Sequence, residues 1–480
     1  MTRRLPYPPA PGPLEAYAAR FDDLLSTLAQ RRGFREYLAG LLLPRDRNKT
    51  LTCLAGAEPV AGAQHPAVQR LQFVLSESTW DHEQINARRV ELLLADPATE
   101  PHAGGVLVID DSGDRKDGTA TAHVGRQWLG RLGKTDNGIV TVTTCWADES
   151  VYYPLHAVPY SPARHFPAGK SDPGFRTKLQ IAAELARTAK TAGVAFRAVA
   201  ADCAYGDQDG FRRQLGEAGL PSVMALKPSH GTWAYGKDAY TPVDAARALT
   251  WTNPEHPGDW TAVERTFRNG HTETWWAADA HLGWWGPDGN VRLVVATTDP
   301  AILPAQATWY LATDLPRPGG PREADNPHPA ADLHEVVRIY GIRHWIEQSY
   351  KQVKDELGGP ISRSVPTPPS AATRHWSPAR SRSAGTPGSL IRRTGNPPPS
   401  LRSRPPRRRR GRLRGGPSRP HQPQPASWPK AIRAVRAWLA PWTNLQRCWR
   451  TWTNAPPPPE LQALINAVGA GHPLDLYIPV

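Results

Sequence analysis

The sequence predicts an α/β fold: a sheet-and-helix domain with a β-rich insertion, preceded by a helical domain. Three observations lead there. Between residues 101 and 227, strand-like runs alternate with helical patterns, and two of the strands end in acids. Residues 228–330 are rich in Trp and in further strand-like runs. Residues 1–100 space their apolar side chains as helices do.

In the first hundred residues, "FDDLLSTLAQRRGFREYLAGLLL" carries Arg31, Arg32 and Arg35 near its middle. "STWDHEQINARRVELLLADP" offers Ser78 as N-cap, Asp81 three residues on and Pro97 as a stop. Spacing alone favours a small helical bundle with solvated arginines. A helical DNA-binding module is the alternative.

From residue 101 the pattern changes. "GGVLVIDDS" is a short buried strand ending in Asp110 and Asp111. "IVTVTTCW" (139–146) alternates as a second strand, and "VYYPLHAV" (151–158) is a third, beyond the turn residues "ADES". "SDPGFRTKLQIAAELARTAKTAG" reads as a helix: Asp172 can cap it, Pro173 occupies the first turn, and Gly193 ends it. "AFRAVAAD" (195–202) is a strand ending at Asp202, "DQDGFRRQLGEAG" a helix and "SVMALK" (222–227) a fifth strand. Acids thus stand at strand C-termini, where α/β sheets gather their sites. In the insertion, Trp275 and Trp276 read as packing residues, with stacking on an unpaired base as the alternative.

After the insertion comes a helix with a D-x-x-E box, Asp332 and Glu335, at its start and Gly358 and Gly359 as its stop. At about 100° per residue, a step of seven falls back by only about 20°. Tyr340, Glu347 and Lys354 are spaced by seven, and Arg343 lies three after Tyr340 and four before Glu347. All four share one stripe, along the edge of the apolar face formed by Val336, Val337, Ile346 and Tyr350. A surface helix with an Arg343–Glu347 pair worth ~0.3–0.5 kcal/mol explains the same residues. The chemistry that needs such a set is phosphoryl transfer by two metal ions. Mg²⁺ takes carboxylate oxygens, and two such ions clamp the attacking and leaving oxygens of an in-line displacement. Arg and Lys beside them neutralise the phosphate. Grouped acids without metal should repel one another and raise at least one pKa.

The spacing Y-x2-R-x3-E-x6-K at Tyr340, Arg343, Glu347 and Lys354 resembles the signature of bacterial insertion-sequence transposases of the DDE type. "IDDSGDRKDG", "GRQWLGRLGKTDN", "AADCAYGD" and "RRGFREYLAGLLLPRDR" resemble stretches of the same group, as do "PWTNLQRCWRTW" and "PPPPELQAL" near the end. The resemblance implies a ribonuclease-H-like catalytic domain over 101–358, with the β-rich insertion at about 228–330. It also implies a DNA-end-binding helical domain over 1–100. It assigns the metal-binding, catalytic acids to Asp111, Asp202 and Glu347, with Mg²⁺ as the two ions and Mn²⁺ as a substitute. Tyr340, Arg343 and Lys354 would hold DNA phosphates. Asp110 competes with Asp111, since neighbours on a strand point to opposite faces. Asp111 is favoured because the group's acid directly precedes a small hydroxyl residue, here Ser112. The role of Arg126, Gln127 and Lys134 in the "GRQ…K" stretch is not derivable from sequence. The implied partner is double-stranded DNA, as inverted-repeat ends and target, with a homodimer in a synaptic complex as a compatible assembly.

Composition sets the remaining bounds. Cys53, Cys145, Cys203 and Cys448 lie far apart without a CxxC pair, which argues against a disulfide framework or zinc cluster and suits a reducing compartment. No signal peptide or bilayer-length apolar run is read, so a bacterial cytoplasmic location and no membrane partner are expected. The net charge of +14 is localised: residues 359–425 hold 15 Pro and 15 Arg with no Lys, Asp or Glu. The rest of the chain has 43 basic and 44 acidic residues, so bulk charge is no argument for nucleic acid. Segment 359–425 is expected to be disordered. GC-rich codons read out of frame yield this composition, and a frameshift near 358, compensated near 425, accounts for it. A C-terminal helical tail then spans 426–480.

Overall fold

The computed structural model describes residues 13–42, 50–55, 64–119, 121–232, 240–267 and 270–356. The expected frameshifted segment 359–425 and helical tail 426–480 lie outside the described residues. The first part of the chain is helical where described: α1 (Pro13–Ala18), α2 (Leu28–Leu42), α3 (Leu51–Leu54), α4 (Pro66–Gln72) and α5 (His82–Ala95). Tyr37, Leu54 and Leu71 are buried together. Asp81, not Ser78, caps α5, because its carboxylate accepts from the N–H groups of Glu83 and Gln84. Ser78 instead accepts from the amide of buried Gln30 at 2.8 Å. The flagged arginines bind within the chain: Arg35 to Glu15 and Asp22, both at 2.7 Å, and Arg32 to Glu36 at 3.0 Å. Arg31 donates to the Leu25 carbonyl. Arg89 on α5 donates to the carbonyls of Pro154 and Leu155, tying the helix to a sheet strand.

That sheet contains β1 (Val106–Arg115), β2 (Gly125–Leu129), β3 (Lys134–Ala147), β4 (Tyr152–Pro159), β5 (Ala198–Ala201) and β6 (Ser222–Ala225). It continues through β7 (Thr261–Thr266), β8 (Thr272–Ala280), β9 (Arg292–Thr297) and β10 (Thr308–Thr313). Its order is β2-β3-β1-β5-β6-β10-β9-β8-β7, with β4 on β3. The β1–β5 and β5–β6 pairs are parallel and the others antiparallel. The insertion is therefore not a detached β subdomain. Its last strand, β10, pairs with β6 and extends the same sheet.

Helices α6 (Lys178–Thr191), α7 (Cys203–Gly206) and α8 (Asp209–Glu217) follow the first four strands, α9 (Pro242–Arg247) lies in the insertion, and α10 (Leu333–Ile342) and α11 (His344–Glu356) close the described chain. The cap of α6 is Thr177 with Gln180 in a reciprocal box, which satisfies two orphan N–H groups where Asp172 would satisfy fewer. Asp172 instead accepts from Gly174 in the preceding turn. The final helix, expected to be continuous, is broken at Arg343, whose N–H reaches back three residues to Tyr340. Gly341 lies just before the break, and a Cβ there would meet Arg265 Nη2 at 2.9 Å. Arg265 stacks over Trp275 and Trp309, each at 4.6 Å. Trp275 is thus core, and Trp276 packs on Trp251 at 4.8 Å, as the packing reading expects.

Alternation divides the sheet's faces. Leu107, Ile109, Val142 and Val199 pack with Ile181, Leu185 and Phe211 of α6 and α8. Val106, Val108, Cys145, Ala198 and Ala200 pack with Val336, Ile339 and Ile346 of α10 and α11. The candidate site sits where this second face turns polar.

Candidate active site

The continuation of β1 beyond its apolar run sets the site. Val106 and Val108 face α10 and α11, so Asp110, Ser112 and Asp114 face the same way. Ile109 pairs with Ala201 in the parallel register, so the next step brings Asp110 beside Asp202. Asp202 follows Ala198 and Ala200 in parity and shares their face. It also caps α7, its carboxylate accepting from Ala204 at 3.0 Å.

The broken helix supplies the opposing wall. Arg343 reaches Asp110 at 3.2 Å with one nitrogen and Glu347 at 2.8 Å with another. Its side chain is only 17% exposed, whereas that of Glu347 is 55% exposed. Lys354 donates to the Ser112 hydroxyl at 2.8 Å and stands 3.4 Å from Asp114. Tyr340 packs edge-on against Trp309 at 4.9 Å, with the Arg343 guanidinium 5.9 Å from its ring. Burial pushes its hydroxyl up to about 12.

Asp111 points the other way. Its carboxylate binds Lys178, the first residue of α6, at 2.9 Å. The expectation that Asp111 joins Asp202 and Glu347 therefore meets a different arrangement: Asp110 shares their face, and Asp111 lies on the face of α6. The apolar run "VLVI" could not show this, because both faces of β1 are buried and neither reads as polar.

The electrostatics follow from crowding. Burial and the neighbouring Asp202 charge push the Asp110 carboxyl up to about 7, against the pull of Arg343. Burial also raises Asp202, with Arg343 again opposing. The Arg343 guanidinium is held above its ordinary value by Tyr340, Asp110, Glu347 and Asp202, which together outweigh its own burial. The expected raised acid is thus present, and its causes are desolvation and like charge.

The donor set suits a hard divalent cation: the groups are carboxylates, and one cation, Arg343, already bridges two of them. Among the described residues no three metal-ligating side chains stand close enough together to hold an ion as they lie. Arg343 stands in for the positive charge. The sequence also left other neighbours unsingled: Lys178 against Asp111, and the buried tyrosines Tyr205 and Tyr350. Burial and the nearby acids raise both hydroxyls. Nothing in their local pattern separates them from core aromatics.

Comparison with known proteins accords with this geometry. The family described as DDE superfamily endonuclease matches residues 20–280. That stretch includes Asp110, Asp111 and Asp202 and stops short of Glu347. The chain is also 32% identical over 291 residues to a protein of Microchaete diplosiphon described as a probable transposase for insertion sequence element IS701. The similarity covers 60% of this chain and 67% of that protein.

Proposed function

Because the chain belongs to the DDE superfamily of endonucleases, we propose that it is a transposase that cuts and joins DNA at insertion-sequence ends, using Asp110, Asp202 and Glu347 as its acids. The observation that supports this most is the double ion pair of Arg343 with Asp110 and Glu347, on the face that Asp202 shares. Three carboxylates from separate segments meet one signature cation there.

In this reading the three acids would hold divalent ions, Mg²⁺ or Mn²⁺, which supply charge neutralisation and an activated water when bound. Arg343, Lys354 and Tyr340 bind and orient the phosphates flanking the scissile bond. Water cuts the strand, and the freed 3′-hydroxyl attacks the opposite strand or a target. Lys178 holds Asp111 away from the reacting phosphate and limits the negative charge that DNA meets. The partners are the inverted-repeat ends and target DNA, with a homodimer as the synaptic unit. The location is the bacterial cytoplasm. Residues 1–100 are read as the end-binding domain. Among the described residues no helix is long and apolar enough to cross a membrane.

The test is strand cleavage of inverted-repeat duplex by the purified chain with Mg²⁺. Nicking that disappears in Glu347→Ala supports the reading, and equal cutting by that variant refutes it. The composition of residues 359–425 favours a second reading, a frameshifted relic that at most binds DNA. DNA binding without nicking, in the presence of all signature residues, would select it.

A further inference from the structure

The "GRQWLGRLGK" stretch forms β2, a tight turn and the start of β3. Gly133 takes a left-handed conformation (φ 60°) in the turn, which favours glycine. Gln127 and Leu129 of β2 are buried, while Arg126 and Trp128 between them are exposed. Trp128 is 58% exposed at the edge of the sheet, a poor place for a large aromatic without a partner.

Register shows which face they occupy. Trp128 lies opposite Thr135 and Arg126 opposite Asn137, while Asp110 lies opposite Thr143 and Ser112 opposite Thr141. All four partners are odd-numbered residues of β3, so Trp128 and Arg126 share the face of Asp110 and Ser112. Along that face the order is Asp110 with Arg343, then Ser112 and Asp114 with Lys354, then Arg126, then Trp128. Arg126 makes no ion pair among the described residues. Arg164 lies beside the start of β2, where it donates to the Val124 carbonyl.

We propose that Arg126 and Trp128 form a second DNA contact on the hairpin of β2 and β3, continuing the phosphate track that Arg343 and Lys354 begin. The inference rests on the transposase reading of the site. A line of cations on one face, starting at the acids and ending in an exposed aromatic, fits a nucleic-acid backbone with one apolar or stacking contact. From Thr143 to Thr135 is eight residues of β3, or roughly 27 Å at about 3.4 Å per residue. Duplex DNA rises ~3.4 Å per phosphate on one strand. The hairpin therefore meets the duplex about 6–8 base pairs from the cut, allowing for the twist of the sheet.

The experiment uses the full chain and a fluorescent duplex carrying one inverted-repeat end. Binding is measured by anisotropy against salt for wild type and Arg126→Ala/Trp128→Ala. It is repeated on a duplex shortened to about 5 base pairs on either side of the cut. The double variant should bind the long duplex about tenfold more weakly and lose about one from the slope of log affinity on log salt. Wild type should lose the same amount on shortening, and the variant should lose little more. Unchanged affinity and slope in the variant, with wild type still cutting in Mg²⁺, overturns the inference alone. So does a variant that changes only its sedimentation, which would mark the edge strand as a contact between copies. Failure of wild type to bind or cut any end would instead sink the underlying reading.

Discussion

Asp110→Asn should make the protein more stable at pH 8 and much less so at pH 5. Asp110 is 16% exposed, stands beside Asp202 across the parallel β1–β5 pair, and has its carboxyl raised from 3.8 to about 7. Between about pH 4 and pH 7 the folded chain therefore keeps a proton that the unfolded chain has released. Stability must fall as pH rises through that window, and above 7 the full cost of the buried charge is present. At about 1.4 kcal/mol per tenfold change, that cost is about 4 kcal/mol. Asparagine imitates the protonated carboxyl and should recover much of it at pH 8. At pH 5 the folded acid is already protonated, so the gain should be smaller by about 2–3 kcal/mol. The value is a ceiling, because the variant also leaves Arg343 with Glu347 as its remaining ion pair. Urea unfolding of wild type and variant at both pH values measures it. A gain independent of pH, or a loss at pH 8, would refute the reasoning.

Other outcomes follow from the same geometry. Arg343→Gln frees Asp110 and Glu347 from the cation between them, so Mn²⁺ titration followed by electron paramagnetic resonance should show tighter binding without DNA, while cleavage falls; weaker binding would contradict this. Gly341→Ala would ordinarily favour a helix, but its Cβ crowds Arg265 against Trp275 and Trp309, so thermal unfolding should show a cost of about 1–2 kcal/mol. Restoring the reading frame across 359–425 at the nucleotide level should raise solubility and cleavage together, and a written chain already fully active would rule out the frameshift.

Much of this architecture is legible in residue order, for reasons that differ by element. β5 and α8 follow from an apolar run and an amphipathic run bounded by turn residues. The signature stripe follows from a period of seven on a helix, which survives the break at Arg343 because Arg343 keeps helical dihedrals. Other features depend on partners distant in sequence. β2 is too short and too interrupted by Gly to announce itself, and it exists through its ladder with β3. The insertion joins the main sheet only through the pairing of β10 with β6. The direction of Asp110 and Asp111 is fixed by which helices cover each face, and a strand buried on both faces gives no polar alternation to read. Lys178 and Arg265 have no local signature, because their meaning comes from Asp111 and from Gly341.

The central claim is that one acid site, on the face of β1 that carries Asp110, performs phosphoryl transfer. Single-turnover cleavage of an inverted-repeat end in Mg²⁺, with Asp110→Asn and Asp111→Asn measured side by side, tests it most directly. The account predicts that Asp110→Asn loses at least about a thousandfold in rate, while Asp111→Asn, which only releases Lys178, stays within about tenfold of wild type. The reverse order, or equal loss in both, would contradict it.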